Sequence, residues 1–115
     1  PGWLSAKAAL AQLVQIGREH DIPVMMVIIP EIHDLSDTYP FADIHEELAL
    51  VGKDLELPVI DLFPFFQGCT PEEELWVSPT DAHHNATAQG MIAQGIVDAL
   101  DSNNGDLLII KEVSK

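Results

Sequence analysis

A chain of 115 residues has room for one domain, and 47% hydrophobic residues are enough for a packed core and too many for a disordered chain. With 19 acidic against 5 basic residues, the net charge of -14 repels phosphate backbones and anionic lipid, which argues against nucleic acid or a membrane surface as partner. No apolar run approaches the roughly 18 residues that a membrane span requires.

The elements alternate along the chain. Leu10, Leu13, Val14 and Gly17 fall at i, i+3, i+4 and i+7, which predicts a helix starting near Ser5, with Ser5 as its N-cap. Pro23 disfavours helical geometry at Ile22 and ends it. The run from Val24 to Ile29 is apolar on both faces, the pattern of a central parallel strand, and Pro30 closes it. A polar loop follows to Pro40. Ile44, Leu48, Val51 and Leu55 mark a second amphipathic helix, on which His45 is expected to be exposed, as is His20 on the first.

Leu57 to Leu62 reads as a second, short strand, left by an aromatic loop at Phe63-Pro64-Phe65-Phe66. Pro71-Glu72-Glu73-Glu74 predicts one short helical turn. A last helix runs from about Ala86 to Leu100, with Asn85 as the simplest N-cap and Met91, Ile92, Ile96 and Leu100 as its apolar face. Asn103-Asn104-Gly105 is a stop signal, and Leu107 to Ile110 suits either a further strand or an ordered tail. No internal repeat or low-complexity linker stands out.

Strand, helix, strand, helix at this spacing predicts an α/β fold: a partial doubly wound, flavodoxin-like parallel sheet flanked by helices. So thin a sheet is incomplete without upstream strands or a second copy, and its exposed edge would favour a homo-oligomer. No secretory signal is visible. The chain starts Pro1-Gly2-Trp3, and its compartment stays unassigned. Cys69 is the single cysteine and lacks a flanking base, so it reads as a structural thiol.

In open α/β sheets ligands bind beyond the carboxyl ends of the strands. Three segments are expected to converge there: Pro30 to Asp34, Phe63 to Phe66, and Trp76 to Asn85. The third is the most informative. A carboxylate close to a histidine fixes the imidazole tautomer and stabilises the imidazolium formed when the histidine takes a nucleophile's proton. Asp81 followed by His83 and His84 offers that pairing in one tight loop. Glu31, His33, Phe65 and Trp76 are the candidate walls of a substrate pocket.

Asp81-Ala82-His83-His84-Asn85, followed by Gly90, Met91, Ile92 and Ala93, resembles the C-terminal block of the SGNH/GDSL hydrolases, which are esterases, lipases and acyl-sugar hydrolases. That block usually reads Asp, one or two spacers, His, Pro, Asn, then a helix. His83-x-Asn85 matches its His-Pro-Asn frame, so the resemblance favours His83 as the triad histidine over His84. Trp76-Val77-Ser78-Pro79, Ile29-Pro30-Glu31 and Tyr39-Pro40-Phe41 also look like one branch of the family. The resemblance implies that residues 1–115 are the C-terminal part of a single hydrolase domain acting on a small ester, without cofactor or metal.

The family's Gly-Asp-Ser nucleophile block and its oxyanion-hole blocks do not occur here. Ser5, Ser36, Ser78, Ser102 and Ser114 lack the strand-to-helix elbow of a nucleophile. The chain alone is therefore expected to be inactive.

Three other readings stand beside this one. Asp81 could simply cap a helix. Asp81, His83, His84, Glu31 and His33 are ligand types for a metal, although adjacent histidines rarely point the same way and no His-Glu-x-x-His pattern occurs. The whole chain could also be a non-catalytic acidic α/β module that self-associates or binds a partner.

Overall fold

A computed structural model of the chain describes residues 1–102. The stop signal from Asn103, the apolar stretch Leu107 to Ile110 and Ser114 lie outside the described residues. The architecture is mixed α/β, with one small parallel sheet and one antiparallel strand pair.

The first helix, α1, covers Gly2–Glu19 and buries Val14 and Gly17. It begins three residues before the predicted start. Ser5 lies inside it, and its hydroxyl donates to the Pro1 carbonyl (3.2 Å) rather than capping the end. The first strand, β1, is only Met26–Ile28. The second helix, α2, spans Ala42–Asp54, and the second strand, β2, is Val59–Asp61.

The strands pair in parallel, Met26 with Val59 and Ile28 with Asp61. Both come out shorter than their apolar runs. Pro30 has no N–H to continue the ladder, and Pro58 contributes only its carbonyl, to Met26 N–H (2.8 Å). Ile29 is 48% exposed, so the expected burial of both faces does not extend to the end of the apolar run.

One turn occurs twice, although no repeat stands out in the sequence. Gly17-Arg-Glu-His-Asp-Ile-Pro-Val24 and Gly52-Lys-Asp-Leu-Glu-Leu-Pro-Val59 share a frame. In each, the residue after the helix cap is left-handed: Asp21 at φ 55° and Glu56 at φ 53°. The next N–H then closes back onto the glycine carbonyl, Ile22 to Gly17 and Leu57 to Gly52, both at 2.8 Å. This is the Schellman closure of a helix C-terminus. The glycine is required because a Cβ at Gly17 would sit 2.9 Å from the Ile22 carbonyl and 2.6 Å from Val24 Cγ2. A Cβ at Gly52 would meet Leu57 O at 2.9 Å and collide with Val59 Cγ2. Arg18 ties the two turns together by donating to the Leu55 carbonyl (2.8 Å).

After β2 the aromatic run forms a four-residue helix, α3 (Phe63–Phe66), where a loop was expected. A 3-10 turn over Glu72–Leu75 follows, close to the predicted helical turn. The strands β3 (Trp76–Ser78) and β4 (Asp81–His84) then form an antiparallel hairpin, also where a loop was expected. The last helix, α4, runs over Ala86–Ser102. Asn85 caps it by accepting the Ala88 N–H (3.0 Å), and its amide donates to the Glu74 and Trp76 carbonyls (2.7 and 3.0 Å). One side chain thus joins the 3-10 turn, the hairpin and the helix.

The core reaches from one face of the sheet to the last helix. Ile32, Leu35, Ile60, Leu62, Phe66, Leu75, Ala88 and Ile92 form one cluster that joins β2 to the loop after β1, α3 and α4. Gly95 lets α4 approach closely, since a Cβ there would be 2.7 Å from Leu62 Cδ2. The loop that leaves β1 is therefore packed from beneath, with Ile32 and Leu35 anchoring it.

Candidate functional site

The hairpin decides which histidine meets the acid. Successive residues of a strand face opposite ways, so Asp81 and His83 share one face of β4 and His84 takes the other. His83 Nδ1–H donates to Asp81 Oδ1 at 2.5 Å, and the same oxygen accepts the His83 backbone N–H at 3.1 Å. With the proton on Nδ1, Nε2 carries a free lone pair. The His83 side chain is 90% exposed, so the pairing orients the ring and adds little stability. The bond from the His83 ring, followed by that from its backbone N–H, holds the Asp81 carboxyl below its ordinary value of 3.8.

His84 turns inward. Its Nε2–H donates to the Pro30 carbonyl (3.0 Å), and its ring stands edge-on to the buried Phe66 at 6.0 Å. It fastens the hairpin to the end of β1.

A cleft of about 410 Å³ lies between the two segments so joined. Glu31, Ile32 and His33 wall one side, and Thr80 to His84 wall the other. Glu31 pairs with His33 Nδ1 and also accepts the His33 backbone N–H (3.0 Å). The cleft thus holds two carboxylate–imidazole pairs, Asp81–His83 and Glu31–His33. Among the described residues, no three His, Cys, Asp or Glu side chains gather to hold a metal ion.

Two of the predicted pocket residues sit elsewhere. Phe65 packs against α4, where a Cβ on Gly95 would be 3.3 Å from its ring. The helical turn of α3 carries it away from the cleft, and of the second predicted segment Phe66 meets the site from behind, against the His84 ring. Trp76 stands behind the wall: its indole N–H donates to the Ile32 carbonyl (2.9 Å), and its ring lies 5.2 Å from that of His33.

Among the described residues no serine hydroxyl bonds to His83. Ser78 Oγ is 3.4 Å from Thr80 Oγ1 across the hairpin turn, and Ser36 is bound to Asp34 (2.5 Å).

His45, expected on an exposed face, is 8% exposed. It shares the inward face of α2 with Leu48, Gly52 and Leu55, at i+3, i+7 and i+10. Its Nδ1 bonds to Asp61 Oδ1 (3.0 Å) and its Nε2 to the Tyr39 hydroxyl (3.1 Å). The apolar stripe marked by Ile44, Leu48, Val51 and Leu55 gave no sign of His45, whereas the place of Asp61 at the carboxyl end of β2 was a signal for its partner. Comparison of the chain with family models, with curated proteins and with solved structures finds no match.

Proposed function

We propose that this chain supplies the acid and the histidine of a Ser-His-Asp ester hydrolase of SGNH/GDSL type, within a flavodoxin-like α/β domain. The serine and the oxyanion donors come from sequence outside this chain. The observation that carries the proposal is the Asp81–His83 pair, with its proton on Nδ1, set on a cleft beside the carboxyl end of a parallel strand. The resemblance of Asp81 to Asn85 to the family's last block supports the same assignment.

In this mechanism His83 Nε2 accepts the serine proton as the hydroxyl attacks the ester carbonyl. The imidazolium so formed is stabilised by Asp81 and then protonates the leaving alcohol. His84 keeps the hairpin on β1. Glu31 and His33, on the opposite wall, contact the polar part of the substrate.

The test has two arms. The chain alone should not hydrolyse a short-chain p-nitrophenyl ester above the rate in buffer. In a protein that also carries the serine segment, His83→Ala should lower kcat by about a thousandfold or more. His84→Ala should retain far more activity and lose thermal stability instead. Equal activity of wild type and His83→Ala would overturn the assignment.

The alternative, an acidic module that self-associates, draws on the exposed Leu4, Leu13 and Ile16 of α1 and on the edge of β1 that is unpaired among the described residues. Loss of turnover in His83→Ala separates the two, because a binding module has none to lose.

A further inference from the structure

We propose that Tyr39 and His45 are positioning residues of the cleft: with Asp61 they form a hydrogen-bonded chain, buried at Tyr39 and His45, that fixes the backbone of Glu31, and through it the Glu31–His33 pair. The proposal rests on reading that cleft as the substrate site.

The chain runs from the end of β2 to the loop after β1. Asp61 accepts His45 Nδ1–H at 3.0 Å. The Tyr39 hydroxyl donates to His45 Nε2 at 3.1 Å and accepts the Glu31 backbone N–H at 3.0 Å. Glu31 in turn holds His33 by ring and backbone.

Polarity leaves a neutral His45 one arrangement. A backbone N–H only donates, so Tyr39 accepts at Glu31 and has its own proton to give. The Asp61 carboxylate only accepts, so the ring proton sits on Nδ1 and Nε2 is left to receive the Tyr39 proton. Burial, and then the Asp61 carboxylate, raise the Tyr39 hydroxyl above its ordinary value of 10.0, so it remains a donor at physiological pH.

Aromatic packing holds the parts in place. Tyr39 stacks on Phe63 with centroids 4.3 Å apart, and His45 meets Tyr39 edge-on at 5.2 Å. A buried imidazole with both nitrogens committed is rigid, and rigidity behind a cleft wall is what positioning requires. Fastening α2 to the sheet would need only the His45–Asp61 bond. The continuation through Tyr39 to Glu31 is what points to the cleft.

The experiment is nitrogen-15 and amide-exchange NMR on the chain, with Tyr39→Phe and a control, Val51→Ala, which perturbs the buried face of α2 away from the hydrogen-bonded chain. In the wild type His45 should show the Nδ1–H tautomer. In Tyr39→Phe the Glu31 amide should exchange roughly fivefold faster or more, the scale of one net hydrogen bond. The His33 ring signals should also move, while Val51→Ala leaves both unchanged. An Nε2–H tautomer at His45 would overturn the proposal even if Tyr39→Phe failed to fold. So would a folded Tyr39→Phe with unchanged Glu31 and His33 signals. Neither readout involves ester hydrolysis, so this proposal and the proposed activity fail independently.

Discussion

Asp81 is the residue through which the proposed chemistry is most directly open to measurement. Its carboxyl is held below 3.8, chiefly by the His83 ring. The folded state therefore binds fewer protons at this site than the unfolded state in the window just below 3.8. The resulting stability is fully present above that window and is lost as pH falls toward the depressed midpoint. Carbon-13 NMR should place the Asp81 midpoint below 3.8. His83→Ala should bring it part of the way back, because the bond from the backbone N–H of residue 83 survives. A midpoint unchanged by His83→Ala would mean that ring and carboxylate do not interact in solution. The proximity of Asp81 to a histidine was legible in the sequence, since a spacing of two or three residues lets one tight loop present both groups, whereas the strand that selects His83 was not. His45 was not legible, because an apolar stripe marked by Ile44, Leu48, Val51 and Leu55 leaves His45 just off it. In the structure Ile44 is 49% exposed and the inward face is rotated onto His45.

Among the elements, the long helices α1, α2 and α4 could be read from periodicity, whereas the four-residue α3 was missed and the short strands could not be bounded. β4 is Asp-Ala-His-His, with little of the β-branched or aromatic content that marks strands, and its turn at Pro79-Thr80 lacks the Asn-Gly type of signal. Its conformation comes instead from pairing with Trp76–Ser78 and from the contact of His84 with Pro30. The twin helix closures, visible only once the backbone is known, make a prediction of their own. Glu56 holds a left-handed conformation that favours glycine, so Glu56→Gly should stabilise the chain by up to about 1 kcal/mol. Gly52→Ala, which drives a Cβ into the Leu57 carbonyl and Val59, should destabilise it by roughly 1–3 kcal/mol. Thermal melts of the two variants should move in opposite directions. A stable Gly52→Ala would show that the close approach of α2 to β2 is not required.

At the scale of the whole molecule, the alternation of helices and strands gave the mixed α/β class, but among the described residues the sheet has two parallel strands and the core extends from Ile60 of β2 to the loop after β1, α3 and α4. Apolar side chains remain uncovered: Leu4, Leu13 and Ile16 on α1, and Ile22 and Ile29 flanking β1. Two forces then compete in solution. Burying those side chains, or pairing the edge of β1, favours association of copies. The net charge of -14 opposes it at long range. Salt weakens only the second force, because the screening length falls from roughly 30 Å at 0.01 M to about 3 Å at 1 M while apolar burial persists. Sedimentation of the chain should therefore show a monomer at low ionic strength, and dimers or larger species as sodium chloride is raised at constant protein concentration. Leu13→Lys with Ile16→Lys, on the exposed side of α1, should shift the transition to higher salt if that helix supplies the contact. If the double variant associates as the wild type does, the contact lies at the edge of β1. If the wild type is monomeric at every salt concentration, self-association is not what the uncovered surface serves.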